Sequence, residues 1–200
     1  IAGSLLPNYR LIVKTPLKIV GEIYLRIGQN LMALPGQSLA DIRTGRSHPI
    51  ALEQCREFFD DWPNIRLVES EDTALSAKHI AEQQSMAKAA IASDIAARLY
   101  GLEMLAEGIE TNPANYTRFW VLSPTPTLEP ARINKASLSF SLKHETGNLS
   151  QILSVLAFYK INLTKIQSLP MIGKAWEYHF FVDVIFDDYA RYQSAIRSVE

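Results

Sequence analysis

The sequence is short of several things, and each shortage removes a class of protein. It holds a single cysteine, Cys55, so no internal disulfide framework is available, and a reducing cytoplasmic setting suits it. Cys55 sits in an apolar helical pattern with Leu52 and Phe59 and reads as a small buried filler rather than a nucleophile. No apolar run approaches the roughly 20 residues a membrane helix needs. The start, Ile1-Ala2-Gly3-Ser4-Leu5-Leu6, lacks the charged and long apolar regions of a secretion signal. Twenty Lys and Arg against 21 Asp and Glu leave a net charge of −1 with no basic block, which speaks against nucleic acid and an anionic membrane surface. The four histidines, at 48, 79, 144 and 179, are scattered and show no metal-ligand spacing. There is no glycine-rich phosphate loop and no readable Ser-His-Asp arrangement.

What is present is an ordinary core-forming composition, 48% hydrophobic. The chain is organised around Asn115-Tyr116-Thr117-Arg118-Phe119-Trp120-Val121-Leu122. This stretch reads as a strand entered from a polar corner, with Asn112-Pro113 as the turn before it. Thr117 and Arg118 therefore stand where a loop meets a strand, a usual place for site residues. The plain alternative is a threonine and an arginine at a strand edge.

Before that stretch the pattern alternates. Asn8–Val13 is too short to classify. Leu17–Leu25 and Asn30–Leu34 read as strands. Ser38 caps a helical turn to about Arg43, with Gly45 ending it. Pro49 opens a helix to about Asp60, with Ile50, Leu52, Cys55, Phe58 and Phe59 as its apolar side. Strands are expected at Ile65–Val68, Ala89–Ala92 and Leu102–Leu105. A helix capped by Asp72 or Thr73 runs to about Gln84 with Leu75, Ala77, Ile80 and Ala81 inward. Another begins at Ser93 and ends at Gly101. This alternation implies an α/β sheet with helices on its faces. Ser47, Thr73 and Ser93 fall at strand-to-helix corners. Such corners line the ligand crevice of open α/β sheets, and helix N-termini there suit carboxylates. Taken singly, each is first an ordinary cap, and it is their number at one crevice that points to an anion site.

Three prolines within Pro124–Pro130 mark a linker. Beyond it, Leu138, Phe140 and Leu142 alternate with serines. Gly147-Asn148 opens an amphipathic helix, and Ile161–Gln167 reads as a strand. Pro170 and Gly173 mark a turn before a long strand at Glu177–Phe186. Asp187-Asp188 starts a last helix. The order is βαββα, one strand short of a ferredoxin-like unit.

Several short motifs, all in the right order, resemble prephenate dehydratases. They are Asn115-x-Thr117-Arg118-Phe119, Ser47-His48-Pro49 with Ala51-Leu52-x-Gln54-Cys55, Asp72-Thr73-Ala74 with Ala77-Lys78, and Ala90–Ser93 with Leu99–Leu102. The resemblance covers nearly the whole chain. It implies an α/β, two-lobed, periplasmic-binding-protein-like (type II) catalytic domain over residues 1–123, whose second lobe spans about 17–106. The chain would return to the first lobe at 109–123. A linker at 124–134 would lead to an α+β, ferredoxin-like βαββαβ ACT domain over 135–200. The family's first β and α units lie upstream of Ile1 and the last ACT strand beyond Glu200, so the chain is expected to be part of a longer protein, with a chorismate mutase domain one possibility upstream.

The implied substrate is prephenate, with Thr117, Arg118 and Phe119 catalytic. Thr117 would donate to the leaving hydroxyl. Arg118 suits pairing with a carboxylate and bracing the loop equally well, and Phe119 is expected to pack. Gly3, Ser4, Ser47, His48, Thr73 and Ser93 would bind substrate, and no cofactor is required. Phenylalanine as effector would use Gly147, Asn148 and Leu149, at the ACT Gly-Ala-Leu-Val motif, and Gln167, Ser168, Leu169 and Pro170, at its Glu-Ser-Arg-Pro region. Gln167 and Leu169 depart from that motif by losing the acid and the arginine. A homodimer or homotetramer is implied. Arogenate as substrate, and a non-catalytic two-lobed binding protein, are the competing readings.

Overall fold

The computed structural model describes residues 5–143, 145–171, 173 and 176–199; Gly3, Ser4 and His144 lie outside them. The chain divides into two compact units, one of residues 23–119 and one of residues 5–22 with 120–199. The boundary expected at 123 and the linker at 124–134 fall inside the second unit.

Two strands, β1 (Lys18–Arg26) and β7 (Tyr116–Ser123), pair as a two-stranded sheet, and each contributes residues to both units. The first unit is otherwise built on a five-stranded sheet. Its strands are β2 (Asn30–Ala33), β3 (Thr44–Ser47), β4 (Arg66–Glu69), β5 (Lys88–Ala92) and β6 (Glu103–Ala106), in the order β4-β3-β5-β2-β6. β4, β3 and β5 run parallel, whereas β2 is antiparallel to β5 and β6. Helices α2 (Pro49–Gln54) and α3 (Arg56–Asp60) connect β3 to β4; α4 (Thr73–Glu82) connects β4 to β5; α5 (Asp94–Tyr100) leads to β6.

The central strands dictate this layering. Leu31, Ala33, Ala89 and Ile91 pack on one face with Leu52, Cys55 and Phe59. Met32, Ala90 and Ala92 pack on the other with Ala77, Ile80, Ala96 and Ala97. A strand apolar on both parities needs cover on both sides, and helices supply it. Asp72 caps α4 by accepting from Leu75 N at 2.9 Å. Gly101 ends α5 at φ +65°, a left-handed position that favours glycine.

Several expectations need correction. Gly45 does not end a helical turn. The turn is a 3-10 segment at Leu39–Asp41, and Gly45 lies within β3. A strand this short, Thr-Gly-Arg-Ser, carries no β-branched run to reveal it. The helix expected through Asp60 is broken at Cys55, because the Gln54 carbonyl accepts from Thr111 N at 2.8 Å instead of continuing the ladder. Ile50 and Leu75 are 37% and 38% exposed rather than inward, while their neighbours Ala51 and Ala74 take the core-facing side of those first turns. Asn8–Val13 belongs to a helix, α1 (Leu6–Val13).

In the second unit, β8 (Lys135–Leu142), β9 (Asn162–Pro170) and β10 (Tyr178–Ile185) form an antiparallel sheet in the order β8-β10-β9, with α6 (Asn148–Phe158) between β8 and β9 and α7 (Tyr189–Val199) after β10. One face carries Val182, Val184, Leu156 and Ala195, the last two from α6 and α7. Tyr9 of α1 packs with Phe181, Leu169 and Trp120 in a separate cluster of the same unit. Pro170 ends β9 rather than opening the turn.

Gly45 explains how tightly the first unit is packed. A Cβ there would meet Leu67 Cδ2 at 3.2 Å, Ile65 Cγ2 at 3.5 Å and Phe59 Cε1 at 3.6 Å. Gly45→Val is therefore expected to overpack the core and lower unfolding free energy by about 1–3 kcal/mol in denaturant titration. Unchanged stability would show that β3 is looser than its contacts indicate.

Candidate functional site

Parallel strands set the geometry. Ser47 is in register with Glu69 and Arg46 with Ala90, so β3, β4 and β5 end along one edge of the sheet. β2 begins there, with Asn30 opposite Ala92. His48, Thr73 and Ser93 follow the ends of three adjacent strands, and the fold gathers them at that edge. His48 is the N-cap of α2, its Nδ1 accepting from Ile50 N at 3.2 Å. Thr73 is the first helical residue of α4, because Asp72 takes the cap. Ser93 is the N-cap of α5, exposed, and makes no side-chain cap bond. Its hydroxyl is therefore not committed to its own helix.

Ser47 behaves differently. It is fully buried, and its Oγ donates to Ile91 O at 2.6 Å, tying β3 to β5. Its hydroxyl supports the edge and does not face a crevice. An open cavity of about 570 Å³ lies beside α2 and α4 and includes Arg46, His48, Ser70 and His79 in its lining. Of the expected site residues among those described it takes in only His48, and Glu69 and Glu71 also line it. Thr73, Ser93 and Thr117 stand outside that lining, so the cavity is not assigned as the substrate site.

Thr117 and Arg118 lie near the start of β7, as the loop-to-strand reading expects. Thr117 is exposed and Arg118 half-buried. Phe119 does not pack; it is 49% exposed, since its parity in β7 points away from buried neighbours.

The approach to β7 carries a polar cluster that sequence reasoning missed. Gln29, Glu110 and Asn115 are 5%, 5% and 3% exposed. Glu110 Oε2 accepts from Gln29 N at 2.8 Å, and its Oε1 accepts from Arg26 Nη2 at 3.1 Å. Ile109 N donates to Gln29 O, and Ile27 N to Asn115 O, each at 2.8 Å. Gln54 Oε1 accepts from both Gln29 Nε2 and Asn115 Nδ2, at 3.1 Å each. Asn30 adds a bridge, donating to Ala92 O at 3.3 Å and accepting from Gly108 N at 3.0 Å. Asn115 and Gln54 each lie within a family motif, but their pairing across 61 residues leaves no local mark.

Burial, aided by the nearby Glu110 carboxylate, pushes the Cys55 thiol up to about 12. That agrees with a filler rather than a nucleophile. Among the described residues, no group of three or more His, Cys, Asp or Glu could hold a metal ion, and no helix is long and apolar enough to cross a membrane.

In the second unit, Gly147 caps α6 at φ +92°, again a glycine conformation. Asn148, Leu149 and Gln167 are half-buried, and Ser168 and Pro170 exposed. Leu169 is 7% exposed and belongs to the Tyr9–Phe181 cluster.

A mixed sheet whose parallel strands β3, β4 and β5 lead into helix caps along one edge is an α/β architecture of the kind that takes ligands at the carboxyl ends of its strands. The family model for prephenate dehydratase matches residues 1–127. The chain is 37% identical to arogenate dehydratase/prephenate dehydratase 2 of Arabidopsis thaliana, over all of this chain and 55% of that one. A prephenate dehydratase from Arthrobacter aurescens, solved with L-Phe, matches with TM-score 0.81 and 29% identity, covering 99% of this chain and 68% of that one. GqqA, described as a quorum-quenching acylase, matches with TM-score 0.73 and 33% identity, covering 84% of this chain and 62% of that one. This chain belongs to the prephenate dehydratase family, with the α/β, periplasmic-binding-protein-like fold of its structural relatives. It spans about half the length of the curated relatives it matches.

Two outcomes follow from the buried groups. Ser47→Ala leaves the Ile91 carbonyl without its donor and is expected to cost about 1–3 kcal/mol of stability in denaturant titration. Alkylation of Cys55 by iodoacetamide at pH 8 is expected to be at least about a thousandfold slower in the native protein than after denaturation, because the thiolate is the reacting form. Rapid alkylation of the folded protein would contradict the burial.

Proposed function

We propose that the protein carrying this chain converts prephenate to phenylpyruvate. The bond from the ring to its carboxylate breaks and releases carbon dioxide. The freed electron pair enters the ring as the C–O bond breaks, and the departing hydroxide leaves as water by taking one proton. Aromatisation drives the reaction, so the protein needs to hold two carboxylates and stabilise the departing oxygen. The observation that carries the reading is the family match over residues 1–127, which includes Thr117 with an exposed hydroxyl at the mouth of β7. A threonine hydroxyl is a poor acid, so Thr117 acts as a donor whose hydrogen bond strengthens as the hydroxyl leaves. Arg118 pairs with a carboxylate or braces Thr117's strand. His48, Thr73 and Ser93 present polar groups and helix starts at the edge where the carboxylates bind, and Ser47 backs that edge from within. Gly3 and Ser4 are assigned by family resemblance alone.

Arogenate is a second reading, favoured by the Arabidopsis relative, whose name covers both substrates. Comparing kcat/KM for prephenate and arogenate in the intact protein decides between them. A protein that binds either compound without turnover would be a binder. With prephenate, Thr117→Val is expected to lower kcat by roughly 10²–10⁴ with KM held, the scale of a positioned acid–base group. Turnover within about threefold of the parent would remove the leaving-group role.

Residues 135–200, within the second unit, are proposed as an ACT domain that senses phenylalanine in a cytoplasmic homodimer or homotetramer. Support comes from its βαββα order, the left-handed Gly147 before α6 and the L-Phe held by the Arthrobacter relative. With Leu169 packed inward, recognition falls to backbone groups at Gly147–Leu149 and to Gln167, Ser168 and Pro170. Phenylalanine is expected to raise the melting temperature of the intact protein, with the logarithm of its concentration once above Kd, and to inhibit turnover. Calorimetry with no phenylalanine binding would remove the sensor.

A further inference from the structure

The entry to β7 is held by amides rather than by packing. Tyr116 and Phe119 are 54% and 49% exposed, so apolar contact gives this end of the strand little purchase. Asn115, two residues before Thr117, is 3% exposed. Its Nδ2 donates to Ile27 O at 3.3 Å and to Gln54 Oε1 at 3.1 Å. A backbone carbonyl can only accept, so the Asn115 atom facing Ile27 is the amide nitrogen. The Gln54 atom meeting that nitrogen must then be its oxygen. The same oxygen accepts from Gln29 Nε2 at 3.1 Å, and Gln29 N is in turn held by the Glu110 carboxylate at 2.8 Å. One acceptor atom at the end of α2 thus ties together the chain leaving β1 and the chain entering β7.

We propose that Asn115 is a positioning residue for the reaction, fixing the Thr117 hydroxyl through its two donated hydrogen bonds with Gln54 Oε1 as the shared anchor. The inference rests on the reading of Thr117 as leaving-group donor. A donor of this kind works only if held within about 0.5 Å of its productive place, and a misplacement of about 1 Å can cost roughly a hundredfold. Asn115 suits the task because both of its amide hydrogens are spent on fixed acceptors. Aspartate, of the same shape, can donate to neither.

The test is a double-mutant cycle on the intact protein with prephenate. Asn115→Ala is expected to lower kcat by roughly a hundredfold while KM stays within about threefold. Asn115→Asp should behave alike despite its matched shape. In a Thr117→Val background, Asn115→Ala should lower kcat no further, because the group it positions is gone. A merely structural asparagine would reduce turnover by the same factor in both backgrounds, and that result overturns the inference. Should Asn115→Ala fail to fold, Gln29→Leu removes the other donor to Gln54 Oε1. It is expected to lower kcat by about tenfold in the parent and not at all beside Thr117→Val; equal losses in both would overturn the inference as well. The two readings separate cleanly: parent against Thr117→Val tests the donor role, and the background comparison tests the positioning.

Discussion

Ala89, Ala90, Ile91 and Ala92 have no exposed surface, and the first unit depends on that burial. A strand with no free face must be covered on both sides. Alanines also let the covering helices approach closely, which is why Ala77, Ala96 and Ala97 meet Ala90 and Ala92. With both faces occupied, polar chemistry is pushed to the edges of the sheet. The edge at the carboxyl ends of β3, β4 and β5 is where Ser47, Thr73 and Ser93 arrive. The candidate site is a consequence of how the core is filled.

The same burial explains the polar cluster beside it. Chain leaving β1 and chain entering β7 both pass the end of α2, where backbone groups would otherwise be left unpaired. Gln29, Gln54, Glu110 and Asn115 satisfy those groups and one another. Such a network is rigid because each member lost strands a partner in a poorly solvated place. Rigidity at that point suits a strand whose exposed Thr117 must hold a fixed position.

In the second unit a three-stranded sheet carries two sets of apolar contacts. Val182, Val184 and Phe186 serve the face covered by α6 and α7. Phe181 takes the opposite parity and meets Tyr9, whose ring also lies 4.2 Å from Lys165 Nζ. Burial holds the Lys165 ammonium below its usual range, with the Asp183 carboxylate partly offsetting this. Leu169 joins that cluster with its side chain turned inward.

Periodicity and punctuation made most elements legible. Alternation placed β1, β8 and β10, capping residues placed α4 and α5, and Gly101 marked its turn through a backbone angle that glycine accepts freely. The family motifs, read in order along the chain, identified the family itself. Those signals are local, and local chemistry suffices to produce them. What the tertiary structure decided is the work of distant partners. Gly45 became a strand because β4 and β5 flank it; α2 broke because Thr111 claimed the Gln54 carbonyl. Ser47 turned inward with the buried parity of β3, and there its hydroxyl met the Ile91 carbonyl. Asn115 and Gln54, each an unremarkable polar residue in its own segment, acquired their role only when folding brought them to 3.1 Å, since a hydrogen bond between residues 61 apart has no periodicity to announce it.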